Sequence, residues 1–203
     1  MTNIDQEYEN LQLEKMRYNN NSTSYKLGLG GIVLSLVAMF IGLNSVAPSS
    51  ILTLFIVLIN ILVFLFGFLS AEKVKTYSKK YSFYMYGLGG ICIARIFIYP
   101  LILIINYSKF ISMINGATPE NFATTFDSAK AKYSDKLGAT IIGKLNSDGT
   151  AIAGTGYLWN NGTFRGILLM VILGCAAACF ISSGVIGYIK QKKLNAYLDS
   201  IKK

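Results

Sequence analysis

Histidine is missing altogether from the 203 residues. That excludes Ser-His-Asp and Cys-His catalysis, and with them zinc or haem held by imidazole. Only three cysteines occur, Cys92, Cys175 and Cys179, and all three fall inside apolar stretches, where they read as packed apolar residues. The segment 106–165 has none, so no disulfide framework holds it. Charge is scarce as well: charged residues make up 14%, against about 25% in an ordinary soluble domain. The deficit is concentrated in four long stretches free of aspartate and glutamate. Proton and cation pumps rely on intramembrane carboxylates or histidines, which argues against that class. Neither GxGxxG nor GxxxxGK is present, so the glycines form no phosphate loop. No enzyme, cofactor or metal site is expected.

Apolar sequence is what the chain has in quantity, at 53% hydrophobic residues. A spanning helix takes about 20 mostly apolar residues, and four runs qualify: Leu27–Leu43, Ile51–Ala71, Phe83–Ile105 and Gly166–Ile189. Four acids precede the first run (Asp5, Glu7, Glu9 and Glu14), which predicts an uncleaved anchor rather than a signal peptide. The expected fold is therefore an all-α membrane protein, a four-transmembrane-helix bundle with a small α+β extracytoplasmic insertion between helices 3 and 4. Its parts are an amphipathic cytoplasmic segment, 1–26; helices 1–3 within 27–105, joined by a basic cytoplasmic loop, 72–82; the insertion, 106–165; helix 4, 166–189; and a basic cytoplasmic tail, 190–203.

The net charge of +9 in a soluble protein would point to nucleic acid, but here the bases flank apolar runs. Counting Lys15, Arg17, Lys26, Lys73, Lys75, Lys79, Lys80, Lys190, Lys192, Lys193, Lys202 and Lys203 puts 12 basic residues on one side. They read as topology signals and contacts to anionic lipid, which places both termini in the cytoplasm of a multi-pass cell-membrane protein and makes nucleic acid no partner. Tyr25, Phe83, Tyr84, Tyr86 and Tyr188 mark the inner interface; Tyr107, Tyr157 and Trp159 mark the outer one.

The first and third runs open alike, YKLGLGGI from Tyr25 and YMYGLGGI from Tyr84, as two parallel helical hairpins would if they arose by duplication. Gly28, Gly31, Ser35, Ala38 and Gly42 recur at spacings of 3 and 4 and line one helix face. Gly87, Gly90 and Ala94 begin a similar stripe in the third run, and Gly174 with Ala176–Ala178 supplies small residues to the fourth. Small residues let membrane helices approach closely, so these are the expected helix-packing positions. Arg95 is the one charge in the third run. Nine residues beyond Tyr86, it reaches roughly 13 Å into a core about 30 Å thick, at a cost of about 2.5–3.5 kcal/mol on insertion scales. Asn60 sits at a similar depth, so Arg95 and Asn60 are the candidate binding residues. The competing reading is a structural partnership within the bundle, or a stem that snorkels to the interface. Pro100 denies the Ile96 carbonyl its usual donor and predicts a kink.

Outside the runs, Thr118-Pro119-Glu120 reads as a helix start. Phe122, Phe126, Ala129, Tyr133 and Leu137 follow at helical spacing, with Gly138 closing the helix. Thr140–Leu145 and Thr150–Ala153 read as strands about a turn at Asn146-Ser147-Asp148-Gly149. Nothing pairs the acids Glu120, Asp127, Asp135 and Asp148, so they read as solvated surface. Ile4, Tyr8 and Leu11 predict a short amphipathic helix at the start, and the tail reads as a continuation of helix 4. A short first and a long second outer loop resemble tetraspan proteins in topology alone; the outer cysteines of those families are absent, so no function is implied. Low proline and abundant Lys, Asn, Tyr and Ile point to a bacterial source. Two functions fit: a non-enzymatic accessory subunit that packs or scaffolds in a larger membrane assembly, or an oligomeric channel or transporter subunit with Arg95 near an anion or substrate path. The expected partners are membrane lipids and other membrane subunits or copies of the chain itself.

Overall fold

The computed structural model describes residues 3–46, 50–145, 151–152 and 158–201. Helix dominates: α1 (Asn3–Tyr18), α2 (Ser22–Leu43), α3 (Ile51–Lys75), α4 (Lys79–Ile98), α5 (Pro100–Asn115), α6 (Phe122–Tyr133), α7 (Ala139–Ile142) and α8 (Gly162–Ile201). Among the described residues, four stretches are long and apolar enough to cross a membrane: 22–43, 51–75, 79–115 and 162–201. The chain is thus a multi-pass membrane protein by length and composition. Each span exceeds its apolar run because polar flanks continue the helix into the interface, most clearly in α8, whose 40 residues carry the lysine-rich tail.

Two boundaries differ from those expected. The third span does not stop at Ile105. It breaks at Tyr99 and restarts with Pro100 as the first residue of α5, which runs to Asn115. A proline is unfavourable within a helix but well suited to its first turn, because its missing N–H would lack a partner there anyway. The expected α+β insertion is also corrected. Residues 139–142 form a helical turn where a strand was anticipated, and pairing is confined to two-residue strands, β1 (Lys144–Leu145) and β2 (Ala151–Ile152), in antiparallel register. The pairs are Lys144 with Ile152 and Leu145 with Ala151. The expected hairpin turn at 146–149 lies outside the described residues, as do 47–49 of the first connection and Tyr157.

The chain divides into two compact units: residues 1–33, 62–91 and 176–203, and residues 34–61 and 92–175. In the first, close helix contact is made through glycine. A Cβ on Gly28 would lie 2.8 Å from Met85 and 3.1 Å from Ala71; one on Gly31 would lie 2.9 Å from the Phe180 ring. Gly89 approaches Ile181 and the Ala177 carbonyl, which its Cβ would meet at 2.6 and 3.3 Å. The basic end of this unit is tied by Asn21, which is buried. Its side chain donates to Ser24 Oγ (2.8 Å) and accepts from Lys190 Nζ (3.2 Å), while its backbone N–H donates to the Lys75 carbonyl (2.9 Å). Ser183 Oγ adds a bond to the Ser24 carbonyl at 2.6 Å. Asn21→Ala removes these side-chain bonds and the one that Asn21 Oδ1 accepts from the Ser24 backbone N–H at 3.5 Å. We expect a loss of about 1 kcal/mol or more, read as a lower thermal midpoint in detergent. Phe83 of α4 packs against Tyr188 of α8 (5.7 Å between centroids) as well as against Tyr86 of its own helix (6.0 Å), so the first contact also holds two helices together.

The second unit has a continuous apolar core that joins the spans to the connection after α5. Phe110 meets Phe126 and Tyr133 edge-on, with centroids 6.1 and 6.3 Å apart. Ala129 of α6, Leu137 of the connection that follows, and Ile141 and Ile142 of α7 continue the core, and Leu103, Tyr107, Leu169 and Leu173 supply it from α5 and α8. The spacing expected in the α6 region is realised, although the helix starts at Phe122. Thr118 to Asn121 instead form a turn in which Asn121 Oδ1 accepts from the Thr118 N–H at 2.8 Å. Gly138 acts as a contact rather than a left-handed cap. Its N–H donates to the Ser45 carbonyl at 3.1 Å, and a Cβ there would meet the 44–46 backbone at 3.3–3.4 Å.

Candidate functional site

Arg95, Ser35 and Asn60 come together in the second unit. Arg95 Nη1 donates to Ser35 Oγ (2.7 Å), Ser35 Oγ donates to Asn60 Oδ1 (3.2 Å), and Asn60 Nδ2 donates to the Ile56 carbonyl (2.6 Å). This chain of bonds links α4, α2 and α3. All three side chains are buried, with Arg95 8% exposed. Their positions follow from helix phase. In α4 the buried residues Met85, Leu88, Cys92 and Arg95 recur every 3 or 4 positions and form one face, and Tyr99, just past the end of α4, continues the spacing. One turn beyond Arg95, Tyr99 Oη donates to the Gly42 carbonyl at 2.9 Å, and the tyrosine ring covers Gly42.

A cavity of about 30 Å³ adjoins Arg95, walled by Ala38, Ile56, Tyr99, Leu169 and Leu173 among others. Its walls are otherwise apolar, and the hydroxyl of Tyr99 is engaged by Gly42. The stretches 34–61, 92–115 and 162–175 of this unit hold no aspartate or glutamate. Among the described residues its acids are Glu120, Asp127 and Asp135, which are exposed, on or beside α6. The charge of Arg95 is therefore met by dipoles alone among the described residues.

A second arginine centre was not singled out by the sequence. Arg165, in the first turn of α8, has no exposed surface. Its Nη1 donates to the Asn44 carbonyl (2.9 Å) and to Ser45 Oγ (3.1 Å), and its Nε donates to the Trp159 carbonyl. The guanidinium carbon lies 5.0 Å from the centre of the Trp159 ring. Nη2 has no hydrogen-bond partner among the described residues. Asn161 caps the same helix end, accepting from the N–H groups of Thr163 (2.9 Å) and Phe164 (3.2 Å). A cation at a helix N-terminus opposes the helix dipole. That mismatch is the sequence signal that could have marked Arg165 as engaged elsewhere.

The packing stripes divide. Gly28, Gly31, Ser35, Ala38 and Gly42 all lie on the buried face of α2. Gly87, Gly90 and Ala94 are exposed, and a Cβ on Gly87, Gly90 or Gly174 would meet nothing within 4 Å. The intimate glycine of α4 is Gly89 instead, because turning Arg95 and Cys92 inward turns the 87-90-94 face outward. The two GLGG segments thus present different glycines to their neighbours. Among the cysteines, Cys92 is buried, Cys179 half-buried and Cys175 exposed, so the uniform expectation of burial does not hold.

No protein-family model matches the chain, and no curated protein or solved structure matches it either. What its helices define is a class, a multi-pass helical membrane protein with a buried arginine-serine-asparagine chain.

Proposed function

We propose that the chain is a non-enzymatic integral membrane subunit that packs or scaffolds within a larger membrane assembly. The observation that carries this reading is the engagement of the intramembrane polar groups. Arg95, Ser35 and Asn60 bond one another across three helices, and Arg165 bonds the turn that follows α2. Polar groups used in this way hold helices in register, as interhelical hydrogen bonds do in lipid. The cavity at Arg95 has room for about one water, which favours packing over a conducting path through this unit. Helix α3 offers a surface for a neighbour. Only 22% of its most apolar stretch is buried, against 33–39% for the other spans, and Phe55, Leu58, Leu62, Leu65, Phe66 and Leu69 are exposed along it. The 12 basic residues support a cell-membrane location with both termini in the cytoplasm, and the composition supports a bacterial host. Tagged protein extracted from its host membrane in mild detergent is expected to retain a second polypeptide in fixed ratio, or further copies of itself. A lone monomer, combined with ion flux in proteoliposomes that Arg95→Leu abolishes, would replace this reading with a channel or transporter.

A further inference from the structure

We propose that the cavity beside Arg95 is a binding site for one small monovalent anion of the halide class. Burying a cation is costly unless an opposite charge or a full set of hydrogen bonds meets it. Arg95 is 8% exposed, and the intramembrane stretches of its unit contain no carboxylate. Its bond to Ser35 occupies one of the five guanidinium N–H groups, at 2.7 Å. Ser35 in turn passes its own proton to Asn60 at 3.2 Å, so the serine oxygen is oriented to receive from Arg95 and offers nothing to the cavity. Tyr99 is likewise committed, donating to Gly42 at 2.9 Å. The cavity is therefore served by a single cationic fork in an apolar wall. In so dry a setting the attraction for a unit negative charge is much stronger than in water.

Size sets the ligand. A volume of about 30 Å³ suits an ion no larger than a water or a halide, and it turns away sulfate, gluconate and carboxylate metabolites. Ala38 on α2 and Leu169 and Leu173 on α8 form part of that limit. The ion would complete the polar chain that links α2, α3 and α4, so occupancy would tighten the unit. The inference does not depend on the assembly reading, because a halide can settle in a packing subunit as well as in a conducting one.

The test is thermal unfolding of the full chain in detergent at fixed ionic strength. Sodium gluconate is replaced stepwise by sodium chloride or bromide, with sodium sulfate as the size control. Fixed ionic strength keeps the surface lysines from contributing a screening response. A ligand bound only by the folded state raises its midpoint in proportion to occupancy. Chloride and bromide are expected to raise the midpoint by several degrees with saturation, whereas sulfate, which strengthens burial by exclusion from the surface, is expected to give only a linear rise without saturation. Arg95→Gln should lose the saturable rise, Arg95→Lys should keep part of it, and Ala38→Val, which narrows the cavity, should weaken it. Should Arg95→Gln fail to fold, chloride-35 line broadening by the parent protein, displaced by bromide and reduced by Ala38→Val, decides the matter. Equal midpoints in chloride and gluconate, a response that survives Arg95→Gln unchanged, or the absence of displaceable broadening would each overturn the site.

Discussion

Replacing Arg165 by leucine is expected to destabilise the protein by about 3 kcal/mol or more. The side chain is wholly buried and satisfies the carbonyls of Asn44 and Trp159 and the hydroxyl of Ser45. Without it, those acceptors lose their donors in a place water reaches poorly, and each unsatisfied group costs about 1–3 kcal/mol. Leucine is also shorter, so a void remains where the guanidinium packed on the indole. Arg165→Lys should recover little. An ammonium group is a single point, and it cannot reproduce a planar fork that serves acceptors before and after the helix start. Trp159 is the chain's only tryptophan and stacks on this guanidinium, so its emission reports the change directly. A midpoint and an emission spectrum unchanged in Arg165→Leu would mean that Arg165 is not the tie between the 44–45 turn and the start of α8.

A paired substitution in α4 should give opposite outcomes at two glycines two positions apart. Gly89→Leu places a Cβ 2.6 Å from Ile181 and 3.3 Å from the Ala177 carbonyl. The backbone carbonyl yields only if α4 and α8 move apart, so the cost should reach or exceed the upper end of the roughly 1–3 kcal/mol typical of overpacked cores. Gly87→Leu meets nothing within 4 Å and adds a strong helix former in place of glycine. Glycine costs a helix about 0.5–1 kcal/mol relative to alanine, so Gly87→Leu should be neutral or slightly stabilising. Thermal midpoints in one detergent separate the two. Equal losses at both positions would show that the inward face of α4 has been assigned wrongly.

That pair also shows where reading the chain residue by residue runs out. YMYGLGGI offers three glycines in four positions, and small-residue spacing alone favours Gly87, Gly90 and Ala94 because they repeat at 3 and 4. The deciding fact is the phase of α4, which Arg95 and Cys92 set by turning inward. A stripe of small residues records that close approach is possible on a face, whereas a buried charge records that the face must be covered. Ser35 illustrates the same limit. Spacing places it correctly on the packing face of α2, but only the approach of α3 and α4 turns it into the link between Arg95 and Asn60. The extra length of the third span was concealed for a related reason. Residues 106–115, NYSKFISMIN, are polar enough to read as loop, yet Tyr107 and Phe110 face a core built from α6, which hydropathy within the run does not see.

By itself the sequence determined that this chain has four helices able to cross a membrane, a helical α6 region and small residues along one face of α2. These depend on local composition and on periodicity along one helix, and both are written in neighbouring residues. Only the tertiary structure decided which glycine of α4 is the intimate one, that Arg165 is a buried tie, and that Arg95 reaches Asn60 through Ser35. Those outcomes depend on how helices distant in the chain meet, and the meeting is set by the joint packing of side chains 60 and 120 residues apart.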